Sequence, residues 1–424
     1  MSYSKEIFPN GFTLLAETKR GYPVASMGFW LKSGSNREST ENQGVSHLIE
    51  HMLFKGTSRW SQKEIALKIE RLGGSLDAYT AKDHCAYYQS LLNNRLEEGY
   101  DLLEELVFRP SFPEEEFESE KRVVVEEIRE YLDNPLDLLS NEFHSFFYPN
   151  SPLGLPIAGT EERVLSFDRN AVLDTYRRIY TPANLVMTLC GDVDLAKFRR
   201  FLLEKMESWP APRLLPPPLR PPKPARGFLF LPEKRGQRWS QSYVHLAWPL
   251  PAFQERRRYR LSILSHIVGG GFSSRLFQRL REEMGLAYSL SSFLGSYNRY
   301  GFFGIFAALN PTNLFPFCKA LKEELNRLCQ EGLQDEEVET ARLNYESAVI
   351  LGMEGTSSRM KVLFHNDFLL GHYRSPKQTL NTIRSITREE LETEMRHLLK
   401  PEKMAFALLG RKTREKKIKE LWND

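Results

Sequence analysis

Two histidines and a glutamate fall on one turn of the chain, in the order His47-Leu48-Ile49-Glu50-His51. On a helix, residues three and four apart are neighbours, so the two imidazoles can hold one metal ion with the Glu50 carboxylate beside it. With nine His in 424 residues, a pair at spacing four is expected about 0.2 times, and a Glu before the second His lowers this to roughly one or two in a hundred. The flanking Gly44-Val45-Ser46 and Met52-Leu53-Phe54 make the remaining faces apolar, as in a buried helix. Burying three polar groups without partners costs several kcal/mol. Either an ion satisfies them or they are hydrogen-bonded inside an ordinary core.

Catalytic zinc sites take three protein ligands and leave a fourth position to water. A third ligand is offered by Glu118-Ser119-Glu120-Lys121-Arg122-Val123-Val124-Val125-Glu126-Glu127-Ile128-Arg129-Glu130-Tyr131. Read as a helix, it puts Arg122, Glu126 and Glu130 on a charged stripe suited to solvent. Glu120, Val123, Val124, Glu127 and Tyr131 form the opposite, mostly apolar stripe. Glu127 is therefore a better ligand candidate than Glu126, and Glu120 can orient a liganding His from behind.

With these residues in view, the chain resembles the pitrilysin, insulin-degrading enzyme and mitochondrial processing peptidase group of zinc metallopeptidases, the inverzincins, whose motif is His-x-x-Glu-His. In that family a third ligand lies seventy-six positions after the second His, which here is Glu127, and a second catalytically important Glu lies seven residues earlier, which is Glu120. The resemblance extends over nearly the whole chain through Pro9-Asn10-Gly11, Phe54-Lys55-Gly56-Thr57, Gly73-Gly74, Asp133-Asn134-Pro135, Leu153-Gly154-Leu155-Pro156 and Gly159-Thr160.

In the later half, Ser273-Ser274-Arg275-Leu276-Phe277 and Arg281-Glu282-Glu283-Met284-Gly285-Leu286-Ala287-Tyr288 resemble the family's substrate-contacting segment. The resemblance implies that Arg281 and Tyr288 contact bound peptide; without it they read as an Arg capping a helix end and a strand Tyr. Asp77-Ala78-Tyr79-Thr80 resembles the edge strand to which substrate adds, a mainly main-chain pairing, and so marks Asp77 and Ala78 as substrate-binding. The family's Asn-Ala-Tyr-Thr with Glu-x-Thr is here replaced by Asp77 and Asp83-His84-Cys85. The alternating pattern makes His84 and Cys85 ordinary strand positions rather than further ligands. Gly269-Gly270-Gly271 lacks both the Lys-Ser/Thr of a phosphate loop and the spacing of a dinucleotide fingerprint.

Composition is that of a globular protein, with 41% hydrophobic and 27% charged residues. A formal net charge of +3 gives no argument for nucleic acid. The acidic run Glu114 to Glu120, the basic Arg256-Arg257-Arg258 and the basic tail from Arg411 read as solvated faces. Four cysteines, Cys85, Cys190, Cys318 and Cys329, fit no paired metal spacing and imply free thiols in a reducing compartment. A polar start that turns at Asn10-Gly11, with no membrane or secretory segment, leads us to expect a cytoplasmic protein of bacterial style.

A proline-dense stretch, Trp209 to Pro224, forbids helix and central strand and divides the chain into near-equal halves. The expected organisation is a catalytic zinc domain over 1–208, a linker over 209–226, and a homologous domain without metal over 227–424. Duplication is visible as a repeat: a helix, Thr181-Pro182-Ala183-Asn184, a strand Leu185 to Cys190 and Gly191 recur as a helix, Lys400-Pro401-Glu402-Lys403, a strand Met404 to Leu409 and Gly410. The offset is 219 for both the prolines and the glycines. It carries His47 onto His266 but Glu50 and His51 onto Gly269 and Gly270, so the second half lacks the motif and His266 reads as a packed histidine.

The expected fold class is α+β, two homologous α/β sandwich domains joined by the linker. The expected activity is zinc-dependent endopeptidase, with one Zn2+ per chain on His47, His51 and Glu127 and Glu50 as general base. By resemblance, two such chains close around a chamber that admits short or unfolded peptides, as a homodimer or with a motif-lacking paralogue. A non-catalytic subunit of the same fold is the alternative from another class, and a zinc hydrolase of another substrate a further one.

Overall fold

The computed structural model describes residues 2–216, 222–233, 239–251, 255–411 and 414–423. Residues 217–221 of the proline-rich stretch and 412–413 of the basic tail lie outside the described residues. Two compact units emerge: one of Met1–Glu130, Ser151–Arg220 and Gly352–Tyr373, the other of Tyr131–Asn150, Pro221–Leu351 and Arg374–Asp424.

The first unit is built on a six-stranded sheet of β1 (Ser2–Ile7), β2 (Thr13–Thr18), β3 (Val24–Leu31), β4 (Ser75–Thr80), β5 (Cys85–Leu92) and β6 (Leu185–Gly191), in the order β1-β2-β6-β3-β5-β4. β2 and β6 are parallel and the other pairs antiparallel. β6 is apolar at nearly every position and every residue of it is buried, which requires cover on both faces of the sheet. On one face, Phe29 of β3 packs edge-on to Phe108 of α3 (Leu96–Phe108), with ring centroids 5.8 Å apart. On the other, Trp30 stacks at 4.4 Å on Phe364 of the helix Thr356–Leu370. That helix also places Arg359 on the buried Glu17 of β2 and Thr356 at 2.8 Å from Ser26.

The second unit repeats the scheme with β7 (Gly227–Pro232), β8 (Ser242–Pro251), β9 (Ser289–Ser296), β10 (Tyr300–Leu309) and β11 (Ala405–Gly410), in the order β7-β11-β8-β10-β9. One parallel pair, β7 with β11, again sits among antiparallel neighbours. Its sheet is covered by the helix Pro135–Phe147, whose Phe143 stacks on His245 of β8 at 4.0 Å. The repeat read from sequence is matched in backbone detail: Gly191 and Gly410, closing equivalent strands, have φ of 154° and 150°. The helices before those strands start at Arg169 and Arg388, at the same offset, each with a side-chain N-cap from Asp168 or Thr387.

The mixed α+β class with a duplicated sheet-and-helix unit is as expected, but the division of the chain differs from a single cut within 209–226. Each unit takes one helix from the other half of the sequence, 352–373 in the first and 131–150 in the second. The physical reason is the two-faced burial of the central strands, which the helices contiguous with each sheet do not complete. The described start of the proline stretch is pinned rather than free, since Thr181 and the Asn184 amide both donate to the Arg213 carbonyl at 2.8 Å. Arg256 and Arg257 are ion-paired to Glu390 and Glu394 at 2.9 and 2.7 Å. All four cysteines are free thiols.

The cover supplied by 356–370 sets a stability test. Phe364→Ala removes the ring stacked on Trp30 and is expected to cost about 3–5 kcal/mol of the first unit's stability. Urea unfolding followed by Trp fluorescence checks this; a change below about 1 kcal/mol would show that the helix is not part of that core.

Candidate metal centre

The motif lies on α1 (Val45–Leu53), the first helix after β3. Its N-cap position is Gly44, left-handed at φ 91° and so close to the 158–159 backbone that a Cβ there would meet Ala158 O at 2.5 Å. A glycine supplies no capping oxygen, and the first-turn N–H groups are bound instead by the buried Glu38, which accepts from Gly44 N at 2.7 Å and Ser46 N at 2.8 Å. Burial raises the Glu38 carboxyl to about 7 despite those bonds and the nearby Lys82.

α2 (Gln62–Leu72) leads into β4, and after α3 the helix α4 (Glu114–Asp133) passes beside α1 and carries Glu120 and Glu127. The inward stripe of α4 is rotated from the expected one, with Lys121 and Ile128 also buried and Tyr131 only half-buried. Val123 is 48% exposed and Val125 is buried in its place, because the inward arc is centred on Val124 and Ile128. Arg122, Glu126 and Glu130 are exposed as expected.

Helical spacing brings the His47 and His51 rings to 4.6 Å between centroids. Their Nε2 atoms stand 3.7 and 3.6 Å from the same oxygen, Oε2 of Glu127. One ligand atom from each of the three residues lies within 4.8 Å of the others. These separations are too long for hydrogen bonds, yet they suit donors around one ion with bonds of about 2.0–2.2 Å. The buried His47 Nδ1 has no hydrogen-bond partner among the described residues. Burial, aided by His51, depresses the His47 imidazole to about 4, so the ring is neutral at physiological pH, the form that ligates. Two imidazoles and a carboxylate converging in this way fit a zinc ion.

The neighbouring carboxylates are engaged differently. Glu120 accepts from His51 Nδ1 at 2.8 Å and pairs with Lys55 at 2.6 Å. Burial alone would raise its carboxyl, but those two hydrogen bonds bring it below the usual range. Burial would likewise lower His51, and the Glu120 hydrogen bond with the charges of Glu120, Glu127 and Glu50 raises it instead. Glu50 accepts from Thr80 Oγ1 at 2.6 Å, and its carboxyl is raised, chiefly by burial. Glu120 thus fixes His51, and Glu50 stands beside the ligand set without belonging to it.

β4 is an edge strand, paired with β5 on one side, and holds Asp77 and Ala78 opposite Tyr88 and Tyr87. His84 is hydrogen-bonded to Asp83 at 2.8 Å and Tyr79 at 3.0 Å, so it and the buried Cys85 are strand-end residues outside the ligand set. Arg281 and Tyr288 belong to the second unit. There Arg281 lies 4.5 Å over the Phe277 ring, and Tyr288 is 75% exposed while its backbone N–H bonds Ala308 O. His266, at the offset from His47, is half-buried with its ring against Gly271. At the next equivalent position, a Cβ on Gly269 would come 2.9 Å from Ser292 N. The helix there packs onto β9 where the first unit keeps its carboxylate.

Sequence reasoning missed Glu38, Lys55 and Thr80 as supports. The only signal for Glu38 was a buried helix whose N-cap position is a glycine. Lys55, four residues after His51, was legible as a same-face neighbour. Thr80 had no local signal.

Comparison with known proteins identifies the family. The insulinase family model, peptidase family M16, matches residues 13–161, and the M16 inactive-domain model matches residues 166–345. A Bacillus subtilis protein named uncharacterized zinc protease YmxG is 31% identical over 95% of this chain and 96% of its own length. An uncharacterized zinc protease of Rickettsia felis is 30% identical over 90% of this chain and 91% of its own length. Among solved structures, a protease from Helicobacter pylori superposes with a TM-score of 0.89 at 21% identity, covering 96% of this chain and 99% of that one. A peptidase M16 inactive domain from Pseudomonas fluorescens gives 0.90 at 19% identity, covering 97% and 99%. The fold and a His47, His51 and Glu127 group that could hold a metal ion are found here in a chain whose relatives are named zinc proteases. The chain belongs to peptidase family M16, of the short two-domain bacterial type.

The Glu120 contact yields a test of the centre. Glu120→Gln leaves His51 Nδ1 and Lys55 without their carboxylate and is expected to weaken zinc binding about 10- to 100-fold. Chelator competition measures it, and an affinity equal to wild type would remove Glu120 from the site's support.

Proposed function

We propose that this chain is a zinc-dependent endopeptidase acting on short or unfolded peptides, with one Zn2+ held by His47, His51 and Glu127. The observation that carries the reading is the convergence of those three donors beside a glutamate that is held by Thr80 and takes no part in the ligand set. Zinc, when bound, is a Lewis acid that polarises a carbonyl and acidifies water. Glu50 takes the proton of the attacking water and returns it to the leaving amine. Its raised carboxyl, a consequence of burial, matches a group that must both accept and release a proton. Glu120 keeps the His51 ring oriented so that Nε2 faces Glu127. A peptide strand added to the outer edge of β4 would run along Asp77 and Ala78, and Arg281 and Tyr288 are substrate-contacting residues by the family resemblance.

The relatives' printed names support peptidase chemistry, and the inactive-domain match covers residues 166–345, where the motif is absent. That match therefore concerns the later part of the chain and leaves His47, Glu50, His51 and Glu127 intact. Assembly of two chains, or of this chain with a motif-lacking paralogue, around an internal chamber belongs to the same proposal, as does a reducing, cytoplasmic setting for the four free thiols. Among the described residues no helix is long and apolar enough to cross a membrane.

Cleavage of a quenched-peptide mixture should be abolished by a chelator and restored by zinc. Glu50→Gln should retain zinc by metal analysis while turnover falls at least about 10²-fold. Wild-type turnover in that variant would overturn the assigned role of Glu50, and chelator-insensitive cleavage would overturn the zinc peptidase reading.

A further inference from the structure

A glutamate that shuttles a proton works only if its carboxylate is held in one orientation, and α1 offers Glu50 no such hold from its own residues. The hold comes from β4. Thr80, the last residue of that strand, donates its hydroxyl proton to Glu50 Oε2 at 2.6 Å. A threonine hydroxyl has one proton to give, so this bond commits it. Behind it stands Cys85, the cross-strand partner of Thr80 and its hydrogen-bond neighbour, fully buried and held as a thiol by that burial. Thr80 is β-branched and sits at the end of a pleated strand, where its χ1 is restricted. Its hydroxyl direction is therefore set by the sheet rather than by solvent.

We propose that Thr80 is the positioning residue for Glu50: by clamping Oε2 it presents Oε1 to the attacking water, and it ties the base to the strand on which the peptide is to lie. The proposal rests on the peptidase reading above. In the step it serves, a water O–H bond breaks, the proton passes to Oε1, and the water oxygen bonds the carbonyl carbon. When the C–N bond then breaks, the same proton goes to the amine nitrogen. Thr80 exchanges no proton in this sequence, and its contribution is geometry.

The experiment compares Thr80→Val and Thr80→Ser with wild type, as the full chain. Valine keeps the branched shape and strand preference while deleting the hydroxyl, and serine keeps the hydroxyl. We expect Thr80→Val to lower kcat about 10- to 100-fold on a quenched peptide, with KM, zinc content and thermal midpoint unchanged, and Thr80→Ser to stay within about threefold of wild type. Crystal structures of the zinc-loaded proteins should show the Glu50 carboxylate displaced in Thr80→Val and retained in Thr80→Ser. Wild-type kcat in Thr80→Val, or an undisplaced carboxylate, overturns the proposal; so does a loss of kcat that comes with loss of zinc or is not rescued by serine. Should wild-type protein cleave no peptide at all, the peptidase reading fails by itself. The Glu50 position in the two crystal structures then decides whether Thr80 holds it.

Discussion

Everything in the first unit serves one electrostatic constraint: two imidazoles and three carboxylates must share a small, largely water-excluded volume. Ionisable groups are tolerated there only when paired or bound to an ion. Glu120 is satisfied by His51 and Lys55, and Glu50 by Thr80. Beside them the Nε2 atoms of His47 and His51 converge on one carboxylate oxygen of Glu127 at 3.7 and 3.6 Å. That convergence is a group that could hold a metal ion. The elements that hold it come from separate parts of the chain: α1 for the motif, α4 for Glu120 and Glu127, β4 for Thr80, and the turn ending at Glu38 for the start of α1.

The second unit shows what the same scaffold does without that constraint. Its five-stranded sheet repeats the order of the first sheet without β1, together with the strand-closing glycine, but glycines stand where the glutamate and second histidine would be. Gly269 lets its helix lie against β9 with no room for a side chain. Close backbone packing there takes the place of the carboxylate, and His266 is left as a ring resting on Gly271. Duplication thus supplied two equivalent helices, one bearing the His47, Glu50 and His51 motif and one closed by packing.

The helices 356–370 and 135–147 carry a further consequence. Each covers a sheet belonging to the other half of the sequence, so neither half contains the whole of its own core. The buried pair Glu17 and Arg359 makes the dependence specific, since removing either partner leaves a charge stranded in the interior. Integrity of the metal centre's sheet therefore relies on residues more than 300 positions away from it in the sequence.

The motif, the identity of Glu127 and the internal repeat were legible in the amino-acid sequence because each is a matter of spacing. Helical periodicity places His47, Glu50 and His51 on one face and separates Glu127 from Glu126, and a constant offset reveals the duplication. Spacing along one helix carries no information about what another element presents to it. Glu38 as a cap, Thr80 as the partner of Glu50 and the helices taken from the opposite half arise from contacts across gaps of 6 to more than 300 residues, set by chain topology and two-faced burial. Residue types and periods thus determined which groups form the candidate centre, and tertiary packing alone decided which groups hold them still.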